Sequence, residues 1–336
     1  MEEVKAATDT RETARNNAQI ARVIAGATDS VEDMLNRRFY PEVDVRYADW
    51  PSHVDPVDGS RVVSLDYDVV ELTELTVAGV PVDESLYELE SERDGEPPYV
   101  AVRLDASVTL PDGVATRDAV GLAGTFGFDA NEDAAGTLAT TVDDATDTVD
   151  VSDSSAVGVG SLLRIGAERM LVDRKSMLDT GQTTQGALTN SNADQLLLVT
   201  SGAAYAEGEV VMVDAEKMLV VEIAANTLVV KRAWDGSTLA AHNPGAAVFA
   251  PRRLTVRRGV LGTAASEHTA GAMIGRHRIP DLVRQLGVAE SLVGMAQENG
   301  GYGRTVGSEG AERPAAGAGI EDLRARARAA YGRRRS

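Results

Sequence analysis

Two glutamates and two histidines recur at matched positions, and they are the side chains with the most chemistry to offer. Glu168 lies in GSLLRIGAERMLV at 160–172, which aligns with GEVVMVDAEKMLV at 208–220 and puts Glu216 and Met218 opposite Glu168 and Met170, 48 residues apart. His242 lies in KRAWDGSTLAAHNPGA at 231–246, which aligns with RRGVLGTAASEHTAGA at 257–272 and puts His268, Gly262 and Gly271 opposite His242, Gly236 and Gly245, 26 residues apart. Two facing carboxylates are what glycoside hydrolysis needs, and an imidazole can hold a metal or move a proton. Against that, each histidine sits in a Gly-, Ala- and Thr-rich turn in a chain without cysteine. The glutamates are copies of one position in duplicated units, which points to one structural task done twice. The imidazole is expected to bond its own loop. No catalytic, cofactor-binding or metal-ligating residue is assigned, and no enzymatic activity is expected.

The acidic stretch 129–153 holds Asp129, Asp133, Asp143, Asp144, Asp147, Asp150 and Asp153. It lacks the Asp-x-Asp-x-Asp-Gly spacing and closing glutamate of a calcium loop, so it reads as a solvated acidic surface.

The two offsets differ, and the difference carries topology. Tandem units would share one offset; here the order is first half, first half, second half, second half, so one unit nests inside the other. The outer repeat is expected over 136–175 plus 252–277 and the inner over 200–251, inserted at a hairpin tip.

Other elements must hold this β region. Over 10–39 the apolar residues Ile20, Val23, Ile24, Val31, Met34 and Leu35, with Ala27 between, recur at helical spacing and predict a long packing helix that ends near Phe39 because Pro41 follows. Gly26 and Thr28-Asp29-Ser30 are expected to kink it at most. Short strands follow at 43–50, 61–65 and 72–82, with Ala78-Gly79 as a hairpin tip, then at 87–89 and 99–104. VGLAGTFGF at 120–128 carries a glycine every third residue, which suggests close backbone approach or a bulge. After the repeats, Ile279-Pro280-Asp281 opens a helix that stops at Asn299-Gly300-Gly301. A polar linker covers 305–319, and 320–331 forms a last amphipathic helix before Arg333, Arg334 and Arg335.

Composition narrows the function classes. Lys plus Arg number 33 against 52 Asp plus Glu, a formal charge of −19, and there are no cysteines. Disulfides and thiolate sites are excluded. Lysine occurs only at 5, 175, 217 and 231. Such an Asp-rich, Lys-poor surface suits a protein kept soluble in strong salt, and a GC-rich genome gives the same bias; both readings stay open. General DNA binding is disfavoured by the charge. No apolar run approaches the ~20 residues of a membrane span, and no secretion signal is expected. The closing segment is the exception to the acidity, and it is expected to be ordered on an acidic partner rather than on its own domain, with nucleic-acid binding by its arginines and a merely solvated tail as the competing readings.

Several features at the two ends occur together in one known family. They are a leading amphipathic helix closing on Arg37-Arg38-Phe39, a strand ending Asp49-Trp50 and a sheet ending Gly124-Thr125-Phe126-Gly127-Phe128. The helix opened by Ile279-Pro280-Asp281 and a glycine-rich stretch before Leu323-Arg324-Ala325-Arg326 and Tyr331 complete the set. In this order they resemble the head–tail adaptor (connector, or head-completion) proteins of long-tailed viruses. In that family the Gly-aromatic-Gly strand and the Pro-led helix nearly adjoin; here 129–277 intervene. The β units are similar to repeats of virion and tail proteins, with a Glu-x-Met-x-Val strand and an Arg-Gly-x-x-Gly-Thr-x-x-x-x-His turn.

The resemblance implies an α+β fold: a helical adaptor core with a small antiparallel sheet (1–128 plus 278–336), interrupted by an all-β inserted domain of two nested repeats (129–277). It implies a structural virion protein, made in the host cytoplasm, forming a homo-oligomeric ring of about a dozen copies between portal and stopper or tail, through which DNA passes without specific binding. The portal would be met by Ile320, Leu323, Arg324, Ala327, Arg328, Tyr331, Arg333, Arg334 and Arg335, while Ile20, Val23, Ile24, Val31, Met34, Leu35 and Phe39 pack the leading helix. The inserted domain has room only outside the ring, where the major capsid protein is a candidate contact. No cofactor is implied. The other readings are a tail or fibre component whose β repeats carry the interaction, and a hydrolase using Glu168 and Glu216.

Overall fold

The computed structural model describes residues 2–7, 17–93, 95–299 and 319–333. Two helices open the chain, α1 (Glu2–Ala7) and α2 (Asn17–Leu35), and six strands follow: β1 (Glu42–Ala48), β2 (Arg61–Val77), β3 (Val80–Pro81), β4 (Tyr87–Arg93), β5 (Glu96–Leu104) and β6 (Val120–Phe126). Ten more occupy the middle: β7 (Glu132–Thr137), β8 (Thr148–Asp150), β9 (Leu162–Ile165), β10 (Glu168–Thr183), β11 (Leu196–Leu198), β12 (Val210–Val213), β13 (Glu216–Ala224), β14 (Thr227–Lys231), β15 (Ala247–Arg257) and β16 (Met273–His277). Helices α3 (Asp281–Asn299) and α4 (Ile320–Tyr331) close it.

Strand accounts for 41% of the protein and helix for 20%, so the expected α+β fold with a helical core and a small sheet is overturned: the protein is mostly β, in two large antiparallel sheets. Strand length explains the difference. Residues 61–82 read as two strands broken at Asp66-Tyr67-Asp68, yet β2 runs unbroken for 17 residues. The aspartate that should break it is neutralised, since Asp68 is buried beside Arg37 and Arg333. Tyr67 stacks edge-on against Phe126 with centroids 5.2 Å apart.

The chain divides into two compact units. One comprises Gly26–Asn131, Arg278–Glu290 and α4. Its six-stranded sheet has the order β1-β6-β2-β5-β4, with β3 hairpinned onto β2, over a core of Val63, Leu65, Val69, Leu75, Leu104, Leu122 and Phe126. Two bulges in β2 opposite β6 bring the backbones together. A Cβ at Gly124 would lie 2.1 Å from the Glu71 carbonyl oxygen, so only glycine fits there. Arg278 N–H donates to the Asn131 carbonyl (2.8 Å), closing the point where the chain leaves this unit and returns.

The other unit comprises Glu132–His277 with α1, the start of α2 through Ala25, and the end of α3 from Ser291. Its ten-stranded sheet has the order β11-β14-β13-β12-β15-β10-β9-β16-β7, with β8 on β15. The bulged ribbon β10–β15, paired from Leu171↔Arg257 to Thr183↔Ala247, separates two modules with their own apolar cores. Met170, Val172, Leu254 and Ile274 lie in the outer core; Met218, Val220, Leu228 and Val248 take the same places in the inner one.

Helix α2 runs through Gly26 and Thr28-Asp29-Ser30 without a break. It stops at Leu35, short of the expected Arg38-Phe39-Tyr40, because Asn36 turns left-handed (φ 52°) and Arg37 N–H reaches back to the Glu32 carbonyl at 3.3 Å. Residues 8–16 of the expected helix lie outside the described residues. Ile20, Val23, Val31, Leu35 and Phe39 are buried, and Ile24 and Met34 half-buried.

Candidate functional site

Each module is built around one buried ionic clasp. Glu216 is the first residue of β13, after a two-residue turn whose first position, Asp214, is left-handed. Glu168 stands likewise at the start of β10, after Gly166. Both carboxylates are fully enclosed, with 0% side-chain exposure. In the inner module Glu216 Oε1 accepts from Arg232 Nε (2.7 Å) and Ala233 N–H (2.9 Å). Its Oε2 accepts from Arg232 Nη2 (2.8 Å) and Ala240 N–H (2.9 Å), with His242 Nε2 at 2.9 Å. The outer module repeats this bond for bond. Glu168 Oε1 takes Arg258 Nε (2.6 Å) and Gly259 N–H (3.0 Å); Oε2 takes Arg258 Nη2 (2.8 Å) and Ser266 N–H (3.0 Å), with His268 Nε2 at 2.8 Å.

The arginines also tie in the loops. Arg258 Nη1 donates to the Asp143 and Thr146 carbonyls (both 2.8 Å), and Arg232 Nη1 to those of Asp194 (2.9 Å) and Thr189 (3.3 Å). One amide of each clasp is aimed by a positive φ, at Gly259 (58°) outside and Ala233 (53°) inside. Glycine takes that conformation freely, whereas alanine holds it at a cost of about 1 kcal/mol.

Burial alone would raise both glutamate pKa values. The bidentate arginine, the imidazole and two backbone amides outweigh it and hold each down to about 2. A carboxylate with both oxygens saturated and its proton lost far below neutrality is poorly suited to general acid or base work. Nor do the two share a site, since each is enclosed by its own arginine, histidine and turn amides. Among the described residues no group of three or more His, Cys, Asp or Glu could hold a metal. The expectation that each imidazole bonds its own loop is corrected: each Nε2 reaches the glutamate of another strand, His242 Nδ1 lies 2.7 Å from Asp214 Oδ2 of the turn before β13, and a long contact of His268 with Ser266 Oγ (3.4 Å) stays within its loop.

Sequence reasoning singled out the glutamates and histidines but gave the arginines no partner. Their signal was present, because Arg232 and Arg258 align in the same repeat pair as the histidines. A further clasp had no such signal. Buried Glu209 accepts from Arg252 Nε (2.8 Å) and Nη2 (2.7 Å) and from Ser154 N–H (3.2 Å) and Oγ (2.9 Å), joining the two modules. At the repeat-equivalent positions stand Ser161 and Asn226, so duplication cannot reveal it.

The segment expected to meet a partner is placed on its own unit. Ile320 and Ala327 are buried, Leu323 is half-buried, and Tyr331 packs edge-on against Phe39 and Phe128 with centroids 6.2 and 5.4 Å apart. Arg324 grips Glu290 bidentately (2.6 and 2.9 Å). Arg333 donates its N–H to the Leu35 carbonyl (2.9 Å), which caps α2, and its guanidinium to Asp68 (3.0 Å) and the Leu65 carbonyl. The expectation of a tail unordered on its own domain is thereby corrected: its stripe is covered by aromatics far away in sequence. Arg328 remains exposed, and Arg334 and Arg335 lie outside the described residues. In the acidic stretch Asp150 pairs with Arg253 (2.8 Å), Asp133 with Arg276 (3.3 Å), and Asp143 caps the turn at Thr146 (2.7 Å), so these aspartates are part of the scaffold as well as its surface.

Comparisons of the chain with protein-family models, with curated proteins and with solved structures find no match. No described helix is long and apolar enough to cross a membrane.

Proposed function

We propose that the protein is a structural virion component, a head–tail adaptor whose copies form a ring between the portal and the stopper or tail and leave a passage for DNA. One observation carries the reading. Gly26–Asn131, Arg278–Glu290 and α4 share a unit and carry the adaptor-like motifs from Arg37 to Phe128 and from Ile279 to Tyr331, with Arg278 N–H hydrogen-bonded to the Asn131 carbonyl, whereas α2 through Ala25 and α3 from Ser291 group with the β modules. The resemblance implies the same chain order, with 129–277 as an insertion. The net charge of −19 suits a wall past which phosphate slides. Portal contact is assigned to the solvent face of α4, where Arg328 is exposed, because the opposite face is already used. The inserted modules are left to meet the capsid or a neighbouring copy.

The test mixes the purified full chain with purified portal rings and follows co-sedimentation. Binding by the native chain and at least tenfold weaker binding by Arg328→Glu, folded by circular dichroism, supports the reading. A native chain that does not sediment with the portal overturns it. A variant that binds as well as the native chain moves the contact off α4.

A further inference from the structure

The duplicated modules supply an internal control for their own surfaces. On the outward face of β8, β15 and β10 the outer module presents Thr148, Asp150, Arg253, Thr255, Asp173 and Arg257. Two ion pairs lie on that face, Arg253–Asp150 at 2.8 Å and Arg257–Asp173 at 3.1 Å, with exposed Arg174 opposite Thr255 beside them. The inner module has the same strands in the same register, Leu196↔Val229 for Thr148↔Thr255, Leu198↔Thr227 for Asp150↔Arg253, and Leu219↔Lys231 for Leu171↔Arg257. Its side chains are of another kind. Leu196 (61% exposed), Leu198 and Val221 (55%) stand in water where the outer copy has Thr148, Asp150 and Asp173. The fold does not require apolar residues there, since it forms without them one module away.

The substitution at 221 has an electrostatic consequence. The outer cation Arg257 is balanced by Asp173; the inner cation Lys231 has Val221 in that place. Its ammonium lies over the Trp234 ring (4.9 Å) and is in no ion pair among the described residues. Exposed Glu222, opposite Val229 in the row of Leu196, lies on the same face and is in no ion pair with Lys231 among the described residues. The stripe is thus apolar at Leu196, Leu198 and Val221 with one charge of each sign at its border, and asks for an apolar surface that also offers carboxylates to Lys231.

This chain carries one. On the exposed face of the edge strand β1, Val43, Val45 and Tyr47 (59% exposed) are bare. Their rows continue through Thr125, Ala123 and Gly121 of β6 to Glu71, Glu74 and Thr76 of β2, and both glutamates are exposed. We infer that the inner-module stripe of one copy docks on the β1 stripe of the next, with Lys231 against Glu71 and Glu74. The two surfaces differ, so the contact is heterologous, the kind that propagates head to tail and closes a ring when the rotation between neighbours returns to its start. It rests on the ring reading above and names the surfaces that make the ring.

The experiment uses two full-length variants and mass photometry. Leu198→Asp with Val221→Asp gives the inner stripe the outer module's own residues, so the fold is expected to tolerate it; Val45→Asp with Tyr47→Asp disables the other stripe. Circular dichroism melts check both. Each variant alone is expected to stay monomeric where the native chain assembles, and an equimolar mixture is expected to stop at the dimer, because one intact junction remains. Lys231→Glu is expected to weaken assembly about tenfold, and adding Glu74→Lys to restore most of it. Variants that assemble as the native chain does would overturn the inference while leaving a ring built by other surfaces. A mixture that stays monomeric, or a native chain that never assembles, would overturn it as well.

Discussion

At the scale of single residues, the protein depends on carboxylates that are buried and never left bare. Glu168 and Glu216 each accept five hydrogen bonds from one arginine, one histidine and two backbone amides, so removing the carboxylate leaves a buried guanidinium without its counter-charge. Glu216→Ala should lower unfolding free energy by about 3–5 kcal/mol in urea melts, far more than loss of a surface pair. Acid should act on the same groups. Folded, both glutamates are held down to about 2, whereas an ordinary glutamate titrates at 4.5, so the unfolded chain binds more protons between those values. Their stabilisation is complete above 4.5 and drains away as pH falls toward about 2. Melts across that window should show a falling midpoint, and Glu168→Gln should flatten the slope. Conversely, Ala233→Gly should stabilise by about 1 kcal/mol by relieving a left-handed alanine that the outer copy has already as Gly259. The repeats made the glutamates and histidines legible in the sequence. The arginines were given no partner, although Arg258 opens the Arg-Gly-x-x-Gly-Thr-x-x-x-x-His turn, because a guanidinium suggests no chemistry by itself; its role is set by the turn that folds it back on the strand.

At the scale of elements, strand length and helix ends were the least legible features. Asp66-Tyr67-Asp68 looks like a break until Arg37 and Arg333, from either end of the chain, neutralise Asp68, and nothing local to β2 announces that. Helix α4 teaches the same lesson. Its stripe Ile320, Leu323, Ala327 and Tyr331 is plain at helical spacing, but its cover, Phe39 and Phe128, lies some two to three hundred residues earlier. Since a 12-residue helix is marginal alone, these contacts hold it. Tyr331→Ala with Arg333→Ala should therefore abolish hydrogen-exchange protection across Ile320–Tyr331 while leaving β2 and β6 protected. Retained protection in α4 would mean that other contacts suffice.

At the scale of the whole molecule, length and charge were legible. The balance of sheet to helix was not, because one strongly periodic helix outweighed many short alternating segments that join into long bulged strands. The adaptor reading treats the protein as one subunit of a closed ring, and subunit number separates it most directly from a tail or fibre component. The deciding measurement is the number of copies per particle, obtained by quantitative mass spectrometry of purified virions against the portal as internal standard. The account predicts about a dozen copies, in line with a heterologous ring closed on the portal axis. A count of three, or a multiple of three that varies with the number of fibres, would contradict it.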